Sequence, residues 1–210
     1  MVLDERDRKA VEEILSGMER SVTLMFFEGK NCEYCPVIRE LLEELRQLGK
    51  IKVETYEMGS KEAKELKLEG PPAIVFKENP RIRFMGMPSG HEFRTFLDTI
   101  LAVSTGKYRI GEEARELLKK VSRPVEIKVF VTPTCPYCPI AVSTAHKFAM
   151  ENPNIVSKMI EAIEFRELAE KYGVMAVPKT VINDRVEFEG AVPDHVFARY
   201  ILRAIGAREA

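Results

Sequence analysis

All four cysteines of the chain fall in two C-x-x-C motifs, Cys32-Glu33-Tyr34-Cys35 and Cys135-Pro136-Tyr137-Cys138. There is no fifth thiol to pair with either motif, so each is interpreted as a self-contained dithiol. Two cysteines at this spacing can carry out thiol–disulfide exchange, in which one thiolate attacks a disulfide and the other resolves the mixed disulfide. The same spacing also occurs in structural zinc sites.

The position of each motif in the chain favours exchange chemistry. A short apolar run typical of a buried strand precedes each motif and a helix-like segment follows it; the runs are Val22–Phe27 and Ile127–Val131. A thiol at a helix N-terminus faces unpaired backbone N–H groups and the positive end of the helix dipole, and both stabilise a thiolate. This predicts Cys32 and Cys135 as the nucleophiles. Cys35 and Cys138, one turn later on the same face, are the predicted resolving thiols.

The residues between the cysteines predict that the two sites differ. Glu33 places a carboxylate beside Cys32, which opposes thiolate formation there. Pro136 adds no charge and suits the first turn of a helix. We therefore expect Cys135 to have the lower thiol pKa and the second site to be the more oxidising. Tyr34 and Tyr137 offer flat amphipathic surfaces to a client chain.

The chain repeats itself at an offset of about 104 residues, which is the length of a duplicated domain and too long for a solenoid repeat. The matched features are the two cysteine motifs, the prolines Pro72 and Pro178, and Phe84-Met85-Gly86 with Phe188-Glu189-Gly190. We predict an N-terminal domain over residues 1–106 and a C-terminal domain over residues 107–210, with a linker at Ser104–Ile110.

Each copy alternates strands with helices and ends in a hairpin and a closing helix, which predicts an α/β fold with a central mixed sheet flanked by helices. The long helix after each motif is predicted at Glu33–Leu48 and Pro136–Met150. The strand that follows it is predicted at Lys52–Glu57 and Met159–Glu164.

Composition limits the classes of function. The chain is 45% apolar and 31% charged with a formal net charge of -1, which excludes binding of nucleic acid or anionic membranes through bulk charge. No apolar run approaches the ~20 residues of a membrane span, and the charged start Met1–Arg8 lacks the apolar core of a signal peptide. We expect a cytoplasmic protein. A single Gln (Gln47) amid abundant charge favours a thermophilic source.

A strand, a C-x-x-C motif, a helix and a later strand opened by proline together resemble the thioredoxin fold. Cys135-Pro136-Tyr137-Cys138 matches the glutaredoxin active-site motif, and the stretch from Val177-Pro178 to Phe188-Glu189-Gly190 resembles the second half of that fold. Two such units in one chain are similar to the protein disulfide oxidoreductases of hyperthermophilic archaea and bacteria. The resemblance implies two tandem thioredoxin-fold domains and the oxidation, reduction or isomerisation of protein clients. It also implies a flavin-dependent thioredoxin reductase as partner and cis peptides before Pro72 and Pro178. We expect no bound cofactor and no metal.

Residues beside those prolines are predicted to bind the client. A proline that opens a strand cannot donate to the sheet. If Pro72 and Pro178 lie against the cysteines, the groups of the preceding Pro71 and Val177 are left to pair with an extended client chain. The chain departs from thioredoxin in lacking tryptophan. It also has Phe26 and Val129, not an acid, six residues before the first cysteine of each motif.

Several alternatives stay open at this level. The chain could be a glutathione-dependent glutaredoxin, or a client-binding module with vestigial dithiols. A zinc scaffold is disfavoured because a whole domain separates Cys35 from Cys135. The first motif could also be a degenerate, structural dithiol. His91 and His195 are interpreted as caps or packing residues and His146 as a surface or groove residue. The methionines are interpreted as core or groove filler, among them Met25, Met85, Met87, Met150, Met159 and Met175.

Overall fold

The structure is a computed structural model that describes residues 2–207. The chain forms two compact units. Unit 1 comprises the chain up to Met87 together with Phe96–Lys107, and unit 2 comprises Pro88–Thr95 together with the chain from Tyr108 onward. Each unit is a four-stranded mixed sheet with helices, so the predicted α/β architecture is confirmed. Met1 and residues 208–210, at the two ends of the predicted domains, lie outside the described residues.

Unit 1 has its first strand in the middle of the sheet. The strands are β1 (Val22–Glu28), β2 (Ile51–Glu57), β3 (Ala73–Phe76) and β4 (Asn79–Met85), in the order β2-β1-β3-β4. β1 pairs parallel with β2 and antiparallel with β3, and β3 and β4 form an antiparallel pair. The helices are α1 (Glu5–Leu15), α2 (Cys35–Leu48), α3 (Lys61–Glu65) and α4 (His91–Thr105). The first turn of α4 falls within the segment that belongs to unit 2.

Unit 2 repeats this topology. The strands are β5 (Val125–Val131), β6 (Ile155–Glu161), β7 (Lys179–Ile182) and β8 (Val186–Glu189), in the order β6-β5-β7-β8. The helices are α5 (Glu112–Lys119), α6 (Cys138–Glu151), α7 (Arg166–Lys171) and α8 (Asp194–Ala204). β5 and β6 are parallel, and α6 connects them. Because α6 returns the chain from the end of β5 to the start of β6, it runs antiparallel to both strands.

The structure corrects several predicted boundaries. β6 runs from Ile155 to Glu161 and not from Met159 to Glu164. The polar pair Ser157 and Lys158 obscured its first half, although both side chains are buried. The two long helices begin at their second cysteines, each with a proline in the first turn. α4 continues to Thr105. Ser104, predicted to lie in the linker, is therefore helical and buried, and its hydroxyl accepts from the Arg20 N–H at 3.0 Å.

Candidate functional site

Each dithiol lies in the loop and first helical turn that follow a central parallel strand. In both units the motif follows the carboxyl end of the strand, and the second cysteine is the first residue of the helix. Cys32 is disulfide-bonded to Cys35, and Cys135 to Cys138. The prediction that each motif forms its own disulfide is confirmed. The next helical residue is a proline. Proline is tolerated there because the N–H groups of the first helical turn have no intrahelical acceptor, so the lack of an N–H costs no hydrogen bond.

The second cysteine of each motif is the more deeply buried of the two. Cys35 and Cys138 are 2% and 0% exposed, whereas Cys32 is half-buried and Cys135 is 7% exposed. In unit 2 the Cys138 N–H donates to the Cys135 sulfur at 3.1 Å. A helix-start N–H directed at this sulfur stabilises negative charge on it. The arrangement suits attack by the first cysteine and resolution by the second.

Both predicted cis peptides are confirmed, at Pro71-Pro72 and Val177-Pro178. The carbonyl of each second proline is already used in the sheet, accepting from Gly86 at 2.9 Å and from Gly190 at 2.8 Å. Within residues 2–207, the N–H and C=O of Val177 have no hydrogen-bond partner. Pro71 has no N–H. Only unit 2 therefore presents both groups to an incoming strand.

The proline loop lies beside the cysteine loop in each unit. In unit 1, a Cβ on Gly29, three residues before Cys32, would lie 2.8 Å from Cγ of Pro71. Glycine permits this close approach of the two loops. In unit 2, Lys179 is paired with Phe130 in the antiparallel register of β7 and β5. That register places Pro178 level with Val131, the last residue of β5.

An exposed apolar rim surrounds the site of unit 2. Four large apolar side chains of the described chain are strongly exposed: Tyr137 (64%), Ile140 (53%), Ile163 (64%) and Met175 (90%). Tyr137 and Ile140 lie on either side of Cys138 in the sequence, and Ile163 follows the end of β6. Met175 lies three residues before Pro178. All four therefore belong to segments at the carboxyl-end edge of the sheet. Of the interpretation of Met175 as core or groove filler, the core placement is wrong. Its position in the loop before the cis-proline leaves it in solvent.

The surroundings of the first site are more polar. Tyr34 is half-buried, unlike its counterpart Tyr137. The Arg39 guanidinium pairs with the Glu28 carboxylate, which ends β1 just before the cysteine loop. Glu33 is exposed between the two cysteines. The two sites thus share their geometry but present different surfaces.

His146 was predicted to lie on the surface or in a groove, and that prediction is wrong. The side chain is 1% exposed, and Nδ1 lies 2.8 Å from the Ser157 hydroxyl oxygen. Burial lowers the pKa of His146 to about 3, so the imidazole is neutral at ordinary pH. The contact joins the middle of α6 to the start of β6.

Unit 2 contains two buried carboxyl groups that sequence reasoning missed. Glu92 is 1% exposed, and burial raises its pKa to about 7, opposed by a hydrogen bond with Thr95. Its segment is held to the cysteine loop by the His91 N–H, which donates to the Pro133 carbonyl at 3.1 Å. Glu161 is 3% exposed, and burial raises its pKa as well. No sequence signal distinguishes either residue, because glutamates in charged segments are normally solvated.

None of the helices within residues 2–207 has the length and apolar character needed to cross a bilayer.

Comparison with protein families and sequences connects the chain to redox proteins. A family model described as "Thioredoxin domain" matches residues 125–203. A Bacillus subtilis protein named NADH dehydrogenase is 26% identical over 87% of the chain and 35% of its own length. A component of the alkyl hydroperoxide reductase of Staphylococcus epidermidis is 29% identical over 86% of the chain and 34% of its own length. The chain thus spans about a third of the length of these relatives.

Comparison with solved structures covers the whole chain. A protein disulfide oxidoreductase from Aeropyrum pernix superimposes with a TM-score of 0.89 and 31% identity, covering 99% of this chain and 97% of that one. The alkylhydroperoxide reductase component AhpF of Enterococcus faecalis superimposes with a TM-score of 0.85 and 25% identity, covering 96% of this chain and all of that one.

Proposed function

The chain belongs to the protein disulfide oxidoreductases built from two thioredoxin folds, and on this basis we propose that it exchanges disulfides with protein clients through both dithiols. The observation that carries the proposal is the pairing, in each unit, of a helix-start cysteine with a cis-proline loop. The cysteines supply the chemistry, and the proline loop supplies a surface on which a client disulfide can be positioned.

The second site illustrates the proposed reaction. The Cys135 thiolate attacks a client disulfide, forms a mixed disulfide and expels one client thiolate. The Cys138 thiolate then attacks the Cys135 sulfur, closes the C-x-x-C disulfide and releases the second client thiolate. The reverse sequence oxidises a client dithiol, and incomplete cycles rearrange client disulfides. The dominant direction is set by the reduction potential of each site against its surroundings.

Clients are expected to bind in extended form, and unit 2 is better equipped to hold them. The N–H and C=O of Val177, next to Pro178, can pair with a client strand in the manner of an added β-strand. Tyr137 and the other three residues of the exposed apolar rim can cover apolar client side chains. In unit 1, Pro71-Pro72 offers the Pro71 carbonyl without an N–H, and Tyr34 is less exposed. We therefore propose that extended clients prefer the second site.

Trapping of mixed disulfides tests this proposal. Cys138→Ser, reduced and mixed with an unfolded client that contains a disulfide, is expected to accumulate covalent complexes, because the resolving thiol is absent. Cys135→Ser is expected to lose most exchange at the second site. Cys35→Ser and Cys32→Ser form the matched pair for the first site and are expected to trap less of an extended client. Activity of Cys135→Ser with no complex on Cys138→Ser would contradict the assigned roles.

The same experiments separate the remaining classes of function. A glutathione-dependent glutaredoxin would form its mixed disulfide with glutathione in preference to a protein. A client-binding module would suppress aggregation equally well with all four cysteines replaced. A zinc scaffold would contain stoichiometric metal, and its thiols would become titratable on chelation without any reductant. We expect protein mixed disulfides and thiols that are released on reduction.

We further propose a flavin-dependent thioredoxin reductase as the electron donor. The curated relatives named above are about three times as long as this chain, so the chain matches only part of proteins that are named as reductases or dehydrogenases. We propose that such a reductase supplies electrons to the two dithiols. We place both in the cytoplasm of a thermophile, where protein disulfides are more frequent than in mesophiles.

A further inference from the structure

We propose that Glu161 is the proton acceptor for Cys138 when that thiol resolves a mixed disulfide at the second site. The inference rests on the proposed exchange function and assigns one step of it to a residue outside both cysteine motifs.

The sheet register places Glu161 at the correct edge of unit 2. Glu161 is the last residue of β6 and pairs with Val131, the last residue of β5. The chain continues from Val131 into the loop that carries Cys135. The carboxylate therefore starts from the same end of the sheet as the dithiol.

The contact between His146 and Ser157 shows on which face of the sheet the Glu161 side chain lies. Ser157 turns its hydroxyl toward α6, with 2.8 Å between its oxygen and Nδ1 of His146. Side chains two and four residues along a strand lie on the same face. Met159 and Glu161 therefore also face the helix that begins at Cys138.

The same contact fixes the level along the helix. Cys138 lies eight residues before His146, about 12 Å along a helix. Glu161 lies four residues after Ser157, about 13 Å along a strand. Because α6 and β6 run in opposite directions, these two displacements are parallel and nearly equal. Cys138 and Glu161 thus lie at the same level along α6 and β6.

Glu161 has an oxygen available for this step. One carboxylate oxygen, Oε2, accepts from the Glu164 N–H at 2.7 Å and so caps the turn after β6. The other, Oε1, is buried and has no hydrogen-bond partner among the described residues. A carboxyl group that is 3% exposed with one unpartnered oxygen costs stability, and a catalytic role would explain why it is there. Burial raises its pKa, against backbone hydrogen bonds from Glu164 and Ile163 that lower it, and the raised pKa makes the carboxylate a better base near neutral pH.

Unit 1 provides a natural contrast. The corresponding residue is Glu57, the last residue of β2, which pairs with Glu28 at the end of β1. Glu57 is exposed to solvent. The buried acid is therefore a property of the second site, although both strands end in glutamate.

The proposed step is balanced in atoms and charge. In the mixed disulfide, Cys135 is joined to a client sulfur and Cys138 is a thiol. The Cys138 proton moves to Glu161, and the resulting thiolate attacks the Cys135 sulfur. The bond between Cys135 and the client breaks, the client leaves as a thiolate, and Glu161 returns its proton to solvent. No additional oxidant or reductant is needed.

A two-phase kinetic experiment isolates this step. The Cys32→Ser, Cys35→Ser double variant leaves only the second dithiol, which is reduced and mixed with equimolar 5,5′-dithiobis(2-nitrobenzoic acid). The first release of thionitrobenzoate reports attack by Cys135, and the second reports resolution by Cys138. Glu161→Gln in this background is expected to slow the second phase about 100-fold, the lower end for a positioned base. The second phase is also expected to lose its pH dependence near the pKa of Glu161, while the first phase stays unchanged.

The controls distinguish a base from a turn cap. Gln can still accept from Glu164, so a purely structural role predicts lower thermal stability with an unchanged second phase, and that result would overturn the inference. Glu161→Asp, which keeps the acid, is expected to recover part of the rate. Glu57→Gln in the converse Cys135→Ser, Cys138→Ser background is expected to leave both phases of the first site unchanged.

Other titratable groups on the elements that pack around Glu161 must be tested by separate substitutions. These are Cys135 and His146 on or before α6, and Glu92 in the segment held to Pro133. If Glu92→Gln or His146→Gln, rather than Glu161→Gln, removed the pH dependence of the second phase, the assignment to Glu161 would be wrong. Absence of the first phase in the parent background would instead contradict the proposed function, since the dithiol itself would then be unreactive.

Discussion

At the scale of single residues, the two nucleophiles share a helix start but differ in the side chain that follows. Cys32 is followed by the exposed carboxylate Glu33, and Cys135 by Pro136. The Cys138 N–H points at the Cys135 sulfur. We expect the difference in their reactivity to come from this N–H contact and from the side chain that follows each nucleophile.

We expect the thiol pKa of Cys135 to lie below that of Cys32, by no more than about one unit because Glu33 is exposed and screened. A more stable thiolate stabilises the reduced form, so the second site should be the more oxidising by about 30 mV or less. Alkylation rates against pH, measured with the other site replaced by serines, check the order. Glu33→Pro should lower the pKa of Cys32; no shift would remove Glu33 as the cause.

The residues that were predictable from sequence are those whose role is set by local spacing. The four cysteines follow from short motifs, whereas the cis peptides before Pro72 and Pro178 were expected from the resemblance to the family. The burial of His146 and Glu161 was not predictable, because it depends on which face of β6 meets α6. A lone histidine or glutamate in a polar segment carries no such information. The missing N–H of Pro71 could have been noted from the sequence alone.

At the scale of elements, α6 and β6 are joined by a buried polar contact that must stay neutral. His146 has a pKa of about 3 in the fold because burial penalises the imidazolium. In the unfolded chain its pKa is about 6.5. Between pH 6.5 and pH 3, His146 is therefore protonated in the unfolded state but neutral in the native state. This contribution to stability is present above pH 6.5 and is lost as the pH falls toward 3.

His146→Gln is expected to flatten the pH dependence of unfolding. The free energy of unfolding of the parent should fall by about 1.4 kcal/mol per pH unit more steeply than that of the variant between pH 6 and 4. Chemical denaturation across this range measures both slopes, and titrations common to the two proteins cancel in the difference. Parallel curves would mean that His146 is protonated in the native state.

A second prediction at this scale concerns the turn before α4. Gly90 has a φ of +57°, and a Cβ there would overlap the Pro133 carbonyl oxygen of the second cysteine loop. Gly90→Ala should therefore cost more than the 1–2 kcal/mol of left-handed backbone strain and should slow exchange at Cys135. Gly173→Ala is the matched control, with a φ of +58° and open space around the Cβ. Equal losses of melting temperature in the two variants would show that the loop contact does not matter.

The elements themselves were largely predictable from apolar periodicity and the cysteine motifs. The start of β6 was missed because Ser157 and Lys158 break the apolar pattern, while in the structure Ser157 bonds His146 and Lys158 pairs with Glu126 at 2.7 Å. The end of α4 was missed because Ser104 and Thr105 are typical of a linker. Ser104 instead packs inside unit 1, where it bonds Arg20. In both cases tertiary partners override the local preference of polar residues.

At the scale of the whole molecule, the chain covers only part of its curated relatives, so its supply of electrons is the feature to test. We expect the purified chain alone not to oxidise NADPH. Addition of a flavin-dependent thioredoxin reductase and a disulfide-containing client should start NADPH oxidation in step with client reduction. A variant with all four cysteines replaced by serine is the control, and equal turnover with that variant would show that the electrons bypass both dithiols.

The segment Pro88–Thr95 lies in the first copy of the repeat but belongs to the second structural unit, where the His91 N–H bonds the Pro133 carbonyl. The boundary between the two sequence repeats therefore differs from the boundary between the two structural units. A gene cut back to its second copy would lose this brace on the loop that presents Cys135. In such a protein, two active sites can be retained by descent even where a client uses only one.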